Sequence, residues 1–130
     1  MIGVTHAGYK GLVNHVLENT VERFISEFSS DPKDIIVGIG PSIEKACYEV
    51  SKERVEEFES AFPDFTNMYE ALDGKFYLDL RSVARQCLLK EGILEGNIES
   101  MDICTKCNFD FYSYRRGDKY ERFVSVISLV

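Results

Sequence analysis

Three short stretches carry the side chains of this sequence that can do chemistry. In His6-Ala-Gly-Tyr-Lys10-Gly11, a histidine closes the apolar run Ile2-Gly-Val-Thr5, and Gly8 and Gly11 let backbone approach a neighbour closely. An imidazole at the end of a strand and the start of a helix stands where open α/β sheets place ligands. Residue type and position leave two readings of His6 open, a metal ligand or a pocket wall. His15 falls beside the apolar stripe of the following helix and reads as structural. In the second stretch, Cys104-Thr-Lys-Cys107, the spacing is that of zinc knuckles and redox dithiols. Cys47 and Cys87 stand alone, so a four-thiolate zinc site lacks its second close pair, and a thioredoxin-type dithiol should open a helix early in the fold. Ordinary reduced thiols packed against their neighbours are the expectation. The third stretch, Phe111-Tyr-Ser-Tyr-Arg115-Arg116, sets aromatic rings beside paired guanidinium groups, with Lys119 and Arg122 beyond. Stacking and bidentate charge suit a nucleotide or an anionic substrate, and a solvated hairpin rim is the other reading.

The elements that must position these residues alternate. Ile2–Thr5 reads as a short strand. Leu12, Val13, Val16, Leu17, Val21, Phe24, Ile25 and Phe28 recur at helical steps and predict one long amphipathic helix from Tyr9. Asp31-Pro32 breaks it, and Asp34-Ile-Ile-Val-Gly-Ile-Gly40 predicts a buried strand. "GIGPSI" lacks the third glycine of a dinucleotide loop and reads as a tight turn. Ser51 caps a helix through about Ala61. The interval from Pro63 to Gly74 reads as a loop, Lys75–Leu80 as a strand, and Asp79–Lys90 as a helix stopped at Gly92. Asn97–Cys104 and the β-favouring terminal run Glu121–Val130 complete the pattern as strands. The fold class is therefore α/β, with mixed sheet flanked by helices, at least one parallel pairing, and a terminal strand completing a sheet.

The bulk properties narrow the function. One domain over 1–130 is expected at this length. A net charge of -7, from 22 acidic against 15 basic residues, offers no positive field for a nucleic-acid backbone. Apolar runs are far shorter than the roughly 20 residues that span a bilayer, and no signal peptide opens the chain, so no membrane partner and a cytoplasmic location are expected.

Together "GVTHAGYKG", "IGPSIEKACYEV", "YLDLRSVARQCLLKEGI" and "CTKCNFDFYSYRRGDKYERFVSVI" resemble the YfiH family, also known as the laccase-domain or multicopper polyphenol oxidase family, the purine nucleoside phosphorylase-like proteins and the peptidoglycan editing factors. The blocks run in order through nearly the whole chain. Tyr9 and Lys10 stand where the family block has tryptophan and arginine. Cys47 and Tyr48 keep the end of its "CCYEV". Members are longer, and this sequence corresponds to their C-terminal half, so the resemblance implies a YfiH-like layered fold incomplete at its N-terminus.

It also implies a zinc or copper ion held by two histidines and a cysteine. Of these His6 alone maps onto this chain, as metal ligand and catalytic residue, and the other ligands lie outside it. The implied chemistry is purine nucleoside processing: phosphorolysis of adenosine, inosine, guanosine or methylthioadenosine, and deamination of adenosine. Arg116, Arg115 and Lys10 are then the candidates for phosphate or substrate, with Cys47 beside them. An inactive fragment or partner subunit is the alternative, and editing of peptidoglycan precursors is another. Multicopper phenol oxidation fits least, because it needs many more histidines than the two present. The expected partners are a small-molecule substrate, together with a missing N-terminal half or a second copy that covers exposed apolar surface.

Overall fold

The apolar periodicity from Tyr9 to Phe28 is not one helix. A computed structural model describing residues 1–130 divides it into α1 (Tyr9–Val13) and α2 (Val16–Phe28), with His15 between them in the left-handed region at φ 57°. The Asn14 backbone N–H and side-chain amide both donate to the Lys10 carbonyl, at 3.2 and 2.7 Å, and close α1 there. In this backbone conformation His15 packs edge-on to Phe62 and hydrogen-bonds Glu18 at 3.0 Å.

Two small sheets follow. In the first, β1 (Val37–Ile39) pairs in parallel with β5 (Ile98–Ser100), Val37 opposite Ile98. The expected parallel pairing is present, but β1 is half-exposed rather than buried, and Ile36 just ahead of it is 80% accessible. The second sheet is antiparallel, in the order β2 (Glu49–Val50), β4 (Lys75–Leu78), β3 (Tyr69–Leu72). β3 lies within the interval expected to be a loop. Asp73 and Gly74 both take positive φ, the geometry of a two-residue hairpin turn whose twist suits antiparallel strands.

The remaining helices start where their caps predict. Ser51 accepts the Arg54 N–H ahead of α3 (Lys52–Ala61), and Asp79 accepts the Ser82 N–H ahead of α4 (Leu80–Lys90). α4 serves both sheets. Val83, Ala84 and Cys87 join Leu12, Phe58 and Leu78 in one core, and Leu88 joins Val21, Ile93 and Ile98 in the other. Cys87 is completely buried, and burial, followed by the nearby Glu18, pushes its thiol far up, so it packs as a small apolar group.

Neither terminal segment forms the expected strand. Residues 2–5 and 121–130 form no strand pairing within these 130 residues, and Val124, Val126 and Leu129 are exposed. β-branched composition favours a pleated surface, but a strand still needs a neighbour to bond. No helix is long and apolar enough to cross a membrane.

Candidate functional site

Pairing between β1 and β5 continues past both strands. The Met101 N–H donates to Ile39, Ser42 to Ile103, and Thr105 back to Ser42. This brings the two strand exits side by side, where parallel sheets gather functional groups. Arg81, in the first turn of α4 and largely buried, clamps them together. Its Nε donates to Ser42 Oγ at 2.7 Å, and its Nη2 to the carbonyls of Ser42 and Ile103 at 3.0 and 2.6 Å.

One exit leads through a single helical turn, Lys45–Cys47, to Cys47, and the other leads directly into the Cys104–Cys107 turn. The three sulfurs Cys47, Cys104 and Cys107 converge within 4.8 Å of one another, with 3.1 Å between Cys47 Sγ and Cys107 Sγ. Cys104 is buried, Cys47 half-buried and Cys107 exposed, and all are free thiols. Burial disfavours a Cys104 thiolate, but backbone N–H groups of Glu44, Cys107 and Lys106 directed at its sulfur outweigh this and draw its pKa down. Cys47 moves the opposite way, to about 12, chiefly through its contact with Cys107 and then through burial. Glu44, Asp102, Asn108 and Phe109 line the cleft that opens beside Cys104 and Cys107. Cys47 does not stand alone, as its isolation in the sequence led us to expect: it completes the Cys104–Cys107 pair.

Arg116 holds that turn from inside the loop. Its Nη1 donates to the carbonyls of Thr105, Lys106 and Asn108 at 3.1, 3.3 and 3.0 Å, while Nη2 reaches Phe111 O and Asp118 Oδ2 at 2.5 and 2.6 Å. Five protein acceptors occupy a group expected to meet phosphate. Arg115 points elsewhere. It is exposed, donates to the Glu49 carbonyl at 2.8 Å and lies 4.6 Å over the Tyr48 ring. Tyr48 is buried and its hydroxyl pKa is pushed up by that burial, against the pull of Arg115 and Arg54. Arg54 stacks 3.7 Å from the centre of the Tyr9 ring, with the exposed Lys10 ammonium 5.9 Å from the same ring. Two cation-bearing aromatic stacks therefore lie near one another, linking the "YK" of α1 to the loop after β5.

His6 sits apart from the thiols, exposed, with its imidazole folded over Gly8. A Cβ at Gly8 would come 2.9 Å from His6 Nε2, and one at Gly11 3.2 Å from the His6 carbonyl. Gly8 thus makes room for the His6 imidazole as it is placed here, while Gly11 makes room for both the Val16 side chain, 3.1 Å from such a Cβ, and the His6 carbonyl. The metal implied by the resemblance asks for two more donors beside this imidazole, and the only close grouping of three or more metal-ligating side chains is the thiol trio. Within residues 1–130, His6 does not complete a centre.

Arg54 and Arg81 were missed in the sequence because each acts across the fold on residues remote in the chain. The convergence of Cys47 on the Cys-x-x-Cys turn was missed for the same reason, since it depends on the parallel pairing of β1 with β5.

Comparison with known proteins agrees with this scaffold. A sequence profile of the family described as "Multi-copper polyphenol oxidoreductase laccase" matches residues 1–130. The chain is 35% identical to "Purine nucleoside phosphorylase LACC1" of Mus musculus over 98% of its own length and 30% of that protein's. It is 31% identical to "Adenosine deaminase RL5" from an unknown prokaryotic organism, over 89% of the chain and 45% of that protein. The crystal structure of YlmD from Geobacillus stearothermophilus superposes with a TM-score of 0.80 at 30% identity, covering 88% of this chain and 43% of that one. The fold is thus that of a YlmD-like α/β protein. The chain belongs to the multi-copper polyphenol oxidoreductase laccase family, whose YfiH and YlmD members it resembles throughout. It spans less than half the length of these relatives.

Proposed function

We propose that this chain forms part of a purine nucleoside-processing enzyme, with His6 as one ligand of a zinc or copper ion whose two other donors come from outside residues 1–130. The observation that carries the reading is the position of His6 on a Gly8 and Gly11 cradle at the start of α1, within a chain matched end to end by the family profile. Relatives named for phosphorolysis and for deamination support the substrate class.

Phosphorolysis breaks the bond between base and ribose and joins phosphate to the anomeric carbon, so it needs an anion site beside a stacking surface for the base. Arg115 and Lys10 are the exposed cations next to Tyr48 and Tyr9, and Cys47 lies beside them. Arg116 contributes by fixing the loop that carries Arg115. A metal held by imidazole and thiolate groups with one open position supplies polarisation of a substrate oxygen or an acidified water. Phenol oxidation through several coppers would need histidines that the sequence does not have.

A second reading, that this chain acts only as a partner subunit, is favoured by the single donor at His6. A panel of adenosine, inosine, guanosine and methylthioadenosine with phosphate, run against muramyl-peptide precursors, tests the substrate class. Release of free purine base is the expected result, and turnover of the precursors alone would contradict it.

A further inference from the structure

We propose that Cys47, Cys104 and Cys107 form a metal site of their own, holding a thiophilic closed-shell cation, zinc(II) or copper(I), at the exits of β1 and β5. This site is independent of His6 and has a structural role.

Zinc–sulfur bonds of about 2.3 Å set tetrahedral thiolates about 3.8 Å apart. The trio, with all sulfurs within 4.8 Å and those of Cys47 and Cys107 at 3.1 Å, meets that spacing after small rotations of side chains already converging on one point. A disulfide would need the sulfurs at about 2.05 Å, and the three are free thiols. The Glu44 N–H also donates to Cys104 Sγ at 3.4 Å, so the arm that carries Cys47 orients the sulfur of the other arm without side-chain cost.

The trio is also built before any ion arrives. Arg116 fixes the carbonyls of Thr105, Lys106 and Asn108, and Arg81 fixes Ser42 against Ile103, so both arms are held by charged hydrogen bonds. Three thiolates satisfy copper(I) as they stand. Zinc(II) takes a fourth donor, and the carboxylates of Glu44 and Asp102 line the adjoining cleft beside room for water.

An ion bound here ties together segments 60 residues apart. Cys47 directly precedes Tyr48, on which Arg115 is stacked, so the ion fixes the surface that presents Arg115.

The test is titration of the purified, reduced chain with cobalt(II), followed by displacement with zinc(II), and in a separate anaerobic arm with copper(I) against a chromophoric chelator. One equivalent should bind, with thiolate-to-cobalt charge-transfer absorption, and the two arms identify the preferred ion. Cys47→Ser, Cys104→Ser and Cys107→Ser should each weaken binding by at least about 100-fold, since even loss of an outer-shell group costs 10–100-fold. His6→Ala and Cys87→Ser should leave it unchanged. Cys107 is exposed, so its variant keeps the fold, which circular dichroism checks. Absence of the charge-transfer band, its loss in His6→Ala, or a Cys47–Cys107 disulfide in the chain as purified would each overturn the proposal.

Discussion

Cys47 Sγ lies 3.1 Å from Cys107 Sγ, although the residues are 60 positions apart, because the chain leaves two parallel strands at the same edge of the same sheet. The convergence depends on Arg116 and Arg81 more than on the thiols themselves, which touch but do not bond.

Arg116→Ala should therefore open the Cys104–Cys107 turn. The side chain is 18% exposed and leaves the carbonyls of Thr105, Asn108 and Phe111 without their donor. Bonds of this charged kind are worth about 1.5–3 kcal/mol, so a loss of about 2–3 kcal/mol is expected. Thermal unfolding followed by circular dichroism should show a drop of roughly 5–10 °C. Arg116→Lys should not restore it, because an ammonium cannot span the same acceptors.

The same loop should loosen in acid. The Ser113 N–H, and then Arg116, hold the Asp118 carboxyl below its usual pKa. A carboxylate whose folded pKa is depressed adds stability that is present above its unfolded value, about 3.9, and is lost as pH falls through the folded value. In thermal melts at stepped pH, Asp118→Asn should be less stable than the parent at neutral pH, and the gap should close in strong acid. A gap that stays constant through acid would contradict this.

Gly8→Ala separates the placement of His6 from the stability of the fold. The added methyl would lie 2.9 Å from Nε2, at the far end of a side chain that can swing away. The thermal midpoint should move by no more than about 2 °C, while the His6 imidazole resonances shift clearly in nuclear magnetic resonance spectra. Unmoved resonances would show that the glycine is not required by the imidazole.

Helix starts at Ser51 and Asp79 were legible because each cap is a local bond between a side chain and an N–H three residues on. The division of α1 from α2 was not, since Leu12, Val16 and Leu17 keep a helical period across the break and only the backbone at His15 departs from it. β3 was marked by Asp73-Gly74, a strong hairpin signal that the weak alternation of Tyr69–Leu72 obscured. At the ends, β-favouring composition in residues 2–5 and 121–130 specifies a strand without supplying its partner. The candidate site divides along the same line. The sequence exposes His6, the Cys-x-x-Cys spacing and the arginine pair, each contained in a few residues. It hides the joining of Cys47 to that spacing, the Arg81 clamp and the inward turn of Arg116, all of which depend on long-range pairing between β1 and β5.

The central claim is that His6 serves purine nucleoside chemistry. Its most direct test is the rate at which adenosine and phosphate yield adenine and ribose 1-phosphate, measured in parallel for the parent, His6→Ala and Cys87→Ser forms of the chain, each supplied with the segment that carries the other two metal donors. The account predicts base release by the parent and by Cys87→Ser, and a fall of at least 100-fold in His6→Ala, on the order of the roughly 3 kcal/mol that one electrostatic catalytic group supplies. Equal rates in the parent and His6→Ala would contradict it.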